Sequence, residues 1–193
     1  MRADAHRIAH RGGQRRLPIL ELEGRRIDDS TAIIAALEAY RPEPALYPPT
    51  PLQRVVASLL ELYADEFLVL PAMHYRWSFP ESEVKARGDF AAMTGNPGAA
   101  NKFADRMKSS HAVLGIDAAT RPQIEAHLAE LLAALEAHFA EQPFLLGGRL
   151  SLADCSLLGP CYAHLYLDAV PGRLLRASAP RSCHWIERGN PCD

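Results

Sequence analysis

Asp29 and Ser30 stand directly before an apolar helical pattern, in a place where side chains can bind a ligand. The first turn of a helix carries backbone amides without intrahelical partners, and the helix dipole makes this end favourable for an anion. A serine hydroxyl and its own amide can contact such an anion, and an aspartate can receive a cationic group. A serine here is equally an ordinary helix N-cap. The residues alone therefore leave both roles open.

A second cluster, Ser151 with Asp154, follows the Gly147-Gly148 pair. Serine at an N-cap and an acidic residue three positions later form a capping box, in which each side chain bonds the other residue's backbone amide. Leu150 and Cys155 occupy the two positions of a hydrophobic staple. The pattern predicts a strongly defined helix start with a structural role and no chemistry.

Four large side chains lie close to Pro71 in the sequence, where the proline is expected to kink or end a helix. They are Tyr63, Met73, Tyr75 and Trp77. Clustered aromatic and thioether side chains can line a pocket for an apolar molecule. They can equally form part of the core, so the sequence leaves both interpretations open.

Metal and nucleophile chemistry find little support in the sequence. The cysteines at 155, 161, 183 and 192 show no Cys-x-x-Cys spacing, and a zinc site is not expected. His127 and His138 share a helix face but lie too far apart along the axis to hold one metal ion, and they are predicted to be surface histidines. We expect reduced cysteines and no metal.

Composition argues against several other classes of protein, namely nucleic-acid-binding, membrane and secreted proteins. The chain has 193 residues with 48% apolar residues, 23% charged residues and a formal net charge of −2, so a nucleic-acid partner is not expected. The apolar run from Phe67 to Met73 is too short to cross a bilayer, and no signal-peptide core follows Met1. These features predict a cytoplasmic protein without a membrane partner.

The predicted secondary structure changes near residue 44, from two strands and a helix to helices alone. Residues 17–28 predict two short strands around a Glu23-Gly24 turn, and Ser30 is expected to cap a helix that ends near Tyr40. A Pro-dense stretch from 41 to 51 follows and reads as an extended linker. The predicted domains are residues 1–44 and 45–193.

Beyond the linker the patterns are helical. The predicted helices are a long one whose buried face holds Val56, Leu59, Leu60, Tyr63 and Phe67; a short one within 90–95; one over 99–114 with Phe103, Met107 and Val113 inward; one over about 122–139; a buried one over 151–167; and a last one over 180–188. Pro171-Gly172 is expected to break the chain after the buried helix. The fold class is therefore α+β and mostly helical.

The order of these features resembles the glutathione S-transferase family, in particular a bacterial branch. Leu17-Pro18-Ile19-Leu20 is similar to the family's hydrophobic-Pro-x-Leu step, and Asp29-Ser30 to its acidic-Ser signature. The segment from Gly148 to Asp154 is similar to its C-terminal capping box. Asp65-Glu66-Phe67, with the run from Pro71 to Trp77, resembles motifs of that bacterial branch.

The resemblance implies a thioredoxin-like N-terminal unit that binds glutathione as co-substrate and an all-helical C-terminal domain that binds a small hydrophobic molecule. It also implies a cis Leu17–Pro18 bond and a homodimer. The glutathione-binding residues that it implies are Leu17, Pro18, Asp29 and Ser30, and the co-substrate residues are Tyr63, Met73, Tyr75 and Trp77.

The sequence departs from the family at its beginning. The first β-α-β of the thioredoxin-like domain is not recognisable before Leu17, and no Ser, Cys or Tyr precedes Ser30 to activate a thiol. A thiol with a pKa near 8.5 needs such a donor or a positive field. The catalytic residue is therefore unknown. The alternatives are a truncated or mis-started frame, a non-catalytic binding or oligomerisation module, and an unrelated helical adaptor.

Overall fold

The computed structural model describes residues 18–190. Leu17, Cys192 and the arginine-rich start of the chain lie outside these residues, as does the Leu17–Pro18 bond. The chain divides into two compact units after Tyr47, and the predicted boundary after residue 44 lies three residues earlier. The N-terminal unit contains the only sheet among the described residues, and the second unit, from Pro48, is helical.

The N-terminal unit is a β-hairpin followed by one helix. Strand β1 (Ile19–Leu22) pairs antiparallel with β2 (Arg25–Asp28), and Ile19 lies opposite Asp28. Glu23 and Gly24 form the turn with φ of 51° and 76°. Positive φ at both central residues is what a two-residue hairpin turn requires. Helix α1 spans Ser30–Tyr40. The predicted hairpin and helix are confirmed.

The Pro-rich segment after α1 contains no helix or strand, as predicted. Its fold is fixed by Glu38, whose carboxylate accepts hydrogen bonds from the amides of Leu46 at 2.7 Å and Tyr47 at 3.4 Å. A side chain of the helix thus satisfies backbone groups that the prolines leave without a regular partner.

The helical unit contains a series of helices joined by short turns. They are α2 (Pro51–Glu66), α3 (Val69–Trp77), α4 (Pro80–Thr94), α5 (Pro97–Ser109), α6 (His111–Leu114), α7 (Arg121–His138), α8 (Leu152–Pro160), a π-helical segment (Cys161–Tyr166), α9 (Ala169–Ser178) and α10 (Pro180–Gly189). Five of them carry proline at the first or second position: Pro51, Pro80, Pro97, Pro122 and Pro180. Proline suits this place because its missing N–H has no intrahelical partner there.

Three helix predictions need correction. The short piece expected over 90–95 is the end of α4, and the helix expected over 99–114 is interrupted at Ser110. Pro171 and Gly172 do not break the chain but lie in the first turn of α9. Proline is compatible with the first turn of a helix, because the N–H that it lacks has no intrahelical partner there. Pro171 can therefore lie in the first turn of α9, and Pro71 in the first turn of α3.

The buried face of α2 also differs from the prediction. Leu59 is 59% exposed and Phe67 is 52% exposed, whereas Ala57 and Ala64 are buried. Helix α2 packs against α8 through these alanines, because small side chains allow two helix backbones to approach closely. Helix α5 likewise buries alanines, Ala100 and Ala104, and not its large apolar side chains. Phe103 and Val113, predicted to be inward, are exposed.

The core of the helical unit consists of two clusters. The larger one joins α7, α8, α9 and α10, and the predicted stripe of α7 contributes Leu128, Leu132 and Leu135 to it. The smaller cluster surrounds Met73 and Trp77. The prediction of a buried helix from residue 151 is confirmed, since Leu152, Ala153, Asp154, Leu157 and Leu158 are all buried.

The buried helix widens into π geometry after Pro160. Pro160 lies inside the helix and has no N–H to donate to the carbonyl four residues before it. The segment Cys161–Tyr166 that follows has π-helical hydrogen bonds, as in the bond from the Leu167 amide to the Tyr162 carbonyl. The proline thus accounts for the local loss of α-helical bonding.

Candidate functional site

The start of α1 is capped by Asp29 and not, as predicted, by Ser30. The Oδ1 atom of Asp29 accepts hydrogen bonds from the amides of Thr31 at 3.0 Å and Ala32 at 3.3 Å. Ser30 is the first helical residue and is exposed. The aspartate takes the cap because it precedes the helix and its carboxylate reaches two amides that have no helical partner.

Asp29 adopts an unusual backbone conformation, with φ 77° and ψ 127°. Positive φ is uncommon for a residue with a side chain, although aspartate tolerates it better than most. Such strain concentrates at binding and catalytic sites. The conformation therefore marks this turn as a candidate site on grounds separate from its sequence.

Three of the four residues predicted to bind glutathione lie among those described, and they meet at one end of the hairpin. Pro18 precedes β1 and Asp29 follows β2. Because Ile19 pairs with Asp28, Pro18 and Asp29 flank the same end of the two strands. Pro18 and Ser30 are exposed. This end of the hairpin presents an exposed carboxylate, hydroxyl and helix start together.

The four residues predicted for the hydrophobic pocket lie deeper than expected. Met73, Tyr75 and Trp77 are buried, and Tyr63 is partly buried against the larger core cluster. Tyr75 stacks on Phe79 with ring centroids 5.3 Å apart. These side chains form interior packing between helices, and the cavity described next is lined by other residues.

The helical unit has a cavity of about 420 Å³ beside the junction of α2 and α3. The end of α6 and the first turns of α7 form the other walls. The lining residues are Phe67, Leu70, Pro71, Leu114, Gly115, Thr120, Gln123, Ile124 and His127. The volume suits a small molecule, and the walls are mainly apolar. Pro71 belongs to this lining, whereas the four residues expected from the sequence do not.

Tyr63 and His127 form a close polar pair behind this cavity. The Tyr63 hydroxyl lies 2.6 Å from His127 Nε2, and the Tyr63 ring stacks on Phe67 at 5.9 Å between centroids. Burial raises the pKa of Tyr63 to about 12, with a smaller contribution from Cys161. Thus Tyr63 contacts two lining residues. His127, predicted to be a surface histidine, is partly buried, and so is His138, which bonds the Phe144 carbonyl at 3.1 Å.

Two side-chain pairs, each with one buried member, join other helices of this unit. His74 bonds Ser78 Oγ through Nδ1 and Glu125 through Nε2, both at 2.9 Å, and burial lowers the pKa of this histidine despite Glu125. Arg76 binds Asp168 through two nitrogens, at 2.8 Å and 3.1 Å. The buried members of these pairs, His74 and Asp168, have partners for both of their side-chain polar atoms within the protein, which is typical of structural interactions.

Asp154 is fully buried and accepts four hydrogen bonds. The Ser151 amide and hydroxyl donate to Oδ2 at 2.9 Å and 2.8 Å, and the Leu145 amide and Trp185 Nε1 donate to Oδ1, both at 2.9 Å. The predicted capping box of Ser151 and Asp154 is present. Through the bonds from Leu145 and Trp185, the carboxylate also connects the preceding loop and α10 to the start of α8, so its role is structural.

Thiol and metal chemistry are not favoured by the described residues. Burial raises the pKa of the Cys161 thiol to about 12 and also raises the pKa values of Cys155 and Cys183. Thiols in this state are poor nucleophiles at neutral pH. Within residues 18–190, no group of three His, Cys, Asp or Glu side chains is arranged to hold a metal ion, and no helix is long and apolar enough to cross a membrane.

Comparison with known proteins identifies the helical unit. Residues 118–188 match the family model of the glutathione S-transferase C-terminal domain. No curated protein matches the chain.

Solved structures share its fold. A GST-like protein from Pseudomonas syringae aligns with a TM-score of 0.61 at 19% identity, over 92% of this chain and 50% of its own. The beta-etherase LigF from Sphingobium sp. strain SYK-6 aligns with a TM-score of 0.63 at 21% identity, over 91% of this chain and 74% of its own. The Tau class glutathione S-transferase MiGSTU from mango gives 0.54 at 17% identity, over 91% of this chain and 67% of its own.

This chain therefore spans about half the length of the first of these proteins and a larger share of the others. Residues 118–188 thus match the C-terminal domain of glutathione S-transferases, and the fold of this chain is shared with GST-like structures over about nine-tenths of its length.

Proposed function

We propose that this protein binds glutathione at the start of α1 and a small apolar molecule in its helical unit. The observation that carries the first part is the strained turn at Asp29, next to the exposed Ser30, at a helix start that favours an anion. The match of residues 118–188 to the glutathione S-transferase C-terminal domain supports glutathione as the ligand. The cavity beside Phe67 and His127 supports the second part.

In this proposal, Ser30 contacts the γ-glutamyl carboxylate of glutathione with its hydroxyl and amide. Asp29 receives the ammonium group of the same residue. The tripeptide backbone pairs with the edge of β1 beside Pro18, and Leu17 lies outside the described residues. The Asp29 carboxylate remains available because only Oδ1 bonds the helix amides.

Binding is tested by titration calorimetry with reduced glutathione. Ser30→Ala is expected to weaken binding about tenfold, because a hydrogen bond to a charged group contributes roughly 1.5–3 kcal/mol. Ser109→Ala is the matched control, since Ser109 is also an exposed helical serine and its hydroxyl bonds only the Arg106 carbonyl. Equal affinity of the two variants and the wild type would reduce Ser30 to a plain helix residue.

Conjugation is a separate step of the proposal. It requires the glutathione thiol to become a thiolate, and the hydrogen-bond donor or positive group that would lower the pKa of this thiol is unassigned. Thioether formation with a chlorinated aromatic electrophile, followed by absorbance and mass spectrometry, tests it. Binding of glutathione with turnover no faster than the protein-free reaction would make the protein a non-catalytic glutathione binder.

A second candidate, an oligomerisation module or homodimer, is favoured by one surface of α2. Leu52, Val55, Leu59 and Leu62 recur at helical spacing and are all more than half exposed. A contiguous apolar helix face often contacts another protein. Sedimentation velocity tests this: the wild type is expected to be dimeric and Leu59→Glu monomeric. Arg106→Glu, a charge change on exposed α5, should leave the dimer intact.

A further inference from the structure

The outer edge of β2 carries backbone groups that are not bonded to other described residues. β1 and β2 form a two-stranded sheet, so each strand has one edge that faces away from the hairpin. The proposed glutathione lies along the edge of β1, which leaves the edge of β2. Within residues 18–190, the backbone hydrogen bonds of residues 25–28 all lie inside the hairpin. Such an edge is a template for pairing with another strand.

The turn of the hairpin determines which residues of β2 face that edge. In a two-residue hairpin the residues that flank the turn, here Leu22 and Arg25, exchange backbone hydrogen bonds with each other. Hydrogen-bonded and non-hydrogen-bonded pairs then alternate along the strands. Arg25 and Ile27 therefore direct their amides and carbonyls towards β1. Arg26 and Asp28 direct theirs outward, so an added strand must bond these two residues.

The charges on this edge fit a second copy of the chain in an antiparallel arrangement. Arg26 and Asp28 are both exposed, and neither forms an ion pair with another described residue. When Arg26 lies opposite Asp28 of the second copy, the converse pair forms as well, because a twofold axis relates the two copies. Ile27 then lies opposite its counterpart. Directly opposite side chains of an antiparallel pair contact each other, and opposite charges stabilise the pair.

Other registers of this pairing are disfavoured. A shift of one residue places outward-directed backbone groups opposite groups that already face β1. A shift of two residues places Arg26 opposite Arg26 or Asp28 opposite Asp28, and like charges in these positions are destabilising. An edge that is only protected against pairing needs charges of a single sign. The opposite signs at positions 26 and 28 instead permit one register.

We infer that two copies of this protein pair through β2, with Arg26 of each copy opposite Asp28 of the other, and form a continuous antiparallel sheet. The pairing also has a physical reason, since a two-stranded hairpin is marginally stable in water and no residue from 18 to 47 is buried. The contact is separate from the α2 face and from the glutathione site, and it rests on neither proposal.

The contact is small compared with a stable protein interface. It contains about four backbone hydrogen bonds, and we expect a dissociation constant on the order of 1 mM. The Leu59→Glu chain is therefore still expected to be monomeric at the micromolar concentrations of sedimentation velocity. Pairing through β2 should be detected only at higher concentration, where it can be measured separately from any contact through α2.

The test follows backbone amide signals by nuclear magnetic resonance in the full chain carrying Leu59→Glu, without glutathione. Concentration is varied from about 50 µM to about 2 mM, which spans the expected dissociation constant. The signals of Arg26 and Asp28 are expected to shift with concentration. Those of Ile19 and Glu21, which face the outer edge of β1, are the control and should not shift. Constant signals at Arg26 and Asp28, or equal shifts at both edges, would overturn the inference.

Charge reversal tests the register. Arg26→Asp places carboxylates opposite each other, and Asp28→Arg does the same with guanidinium groups, so either change should weaken association about tenfold. The double variant Arg26→Asp/Asp28→Arg restores opposite signs at exchanged positions, and its affinity should lie within about threefold of the parent chain. A double variant as weak as the single ones would contradict this register.

A mixture of the two single variants separates recognition from a structural defect. One chain then carries aspartate at both positions and the other carries arginine at both, so their heterodimer has two complementary pairs. The signals of isotope-labelled Arg26→Asp should shift when unlabelled Asp28→Arg is added, but not when unlabelled Arg26→Asp is added. No response to the complementary chain would overturn the inference. If a charge change unfolds the hairpin, the concentration series of the parent chain decides alone.

Discussion

The N-terminal unit and the helical unit are specified in different ways. No residue from 18 to 47 is buried, and the order there comes from a two-residue turn, an aspartate cap and the Glu38 contacts to nearby amides. The helical unit instead encloses side chains such as Trp77, Leu128 and Trp185 from distant parts of the sequence. Local signals define one unit, whereas long-range packing stabilises the other.

This difference matters for function because each unit carries one proposed ligand. The turn at Asp29 presents groups on the surface, where their arrangement depends on a few neighbouring residues. The cavity depends on helices that come from separate parts of the sequence. Substitutions in the helical core should therefore affect the stability of the protein strongly, whereas those at Asp29 should affect one helix.

The largest effect is expected for Asp154→Ala. The change leaves a buried amide, a partly buried amide, a hydroxyl and the Trp185 indole without their acceptor, and we expect a loss of about 4 kcal/mol in unfolding free energy. Urea unfolding followed by circular dichroism measures it. Asp117→Ala is the control, because Asp117 bonds the Ala119 and Thr120 amides at the surface. A similar loss in both variants would contradict the dominant role of buried contacts.

Next in size is Arg76→Met, which leaves the buried Asp168 carboxylate unpaired. Breaking a buried ion pair in this way costs about 3 kcal/mol. Arg173→Met breaks an exposed pair with Glu81 and should change the melting temperature little. Thermal melts of the two variants side by side test this. The contrast would fail if the exposed pair contributed as much as the buried one.

A smaller effect should appear on acidification. Burial lowers the pKa of His164 from 6.5 to about 4, with a further contribution from Arg76. The unfolded chain therefore binds this proton first, and the stability present above pH 6.5 is lost as pH falls from 6.5 towards 4. From pH 7 to pH 5 the loss amounts to about 2 kcal/mol.

His164→Gln removes this titration, so its unfolding free energy should fall less between pH 7 and pH 5 than that of the wild type. Urea denaturation of both proteins at each pH gives the difference. Parallel pH profiles would mean that His164 is accessible to protons in the folded protein. That result would place the histidine outside the rigid interior that distinguishes this unit.

The smallest global effect is expected for Asp29→Ala. The variant loses the cap of α1 and places alanine at positive φ, which should weaken that helix locally by about 1 kcal/mol. Hydrogen exchange should accelerate at amides 33–40 and remain unchanged at 128–135. Faster exchange in α7 would contradict the expectation that the loss of this cap affects only α1.

How far the sequence predicted the fold depends on the same distinction. The hairpin, α1, the stripe of α7 and the Ser151–Asp154 box follow from signals within a few residues, and all are present. The buried face of α2 could not be predicted from hydrophobicity, because α2 approaches α8 through Ala57 and Ala64 and leaves larger side chains exposed.

The candidate cavity shows most clearly what could not be predicted from the sequence. Pro71 belongs to its lining, but the lining residues His127 and Leu114 come from helices far along the chain, and their proximity to Phe67 is a tertiary property. Tyr63 was selected from sequence as a pocket residue, and it contacts that lining from behind. The glutathione residues Pro18, Asp29 and Ser30 remain a prediction.

The prolines at the beginnings of five helices also influence the chain before it folds. Each one holds φ near −65° whether or not the helix has formed, so the unfolded chain has fewer conformations at these points. Folding then requires a smaller loss of chain entropy. Part of the stability of the helical unit therefore originates in its denatured state, at five of the positions where the chain enters a new helix.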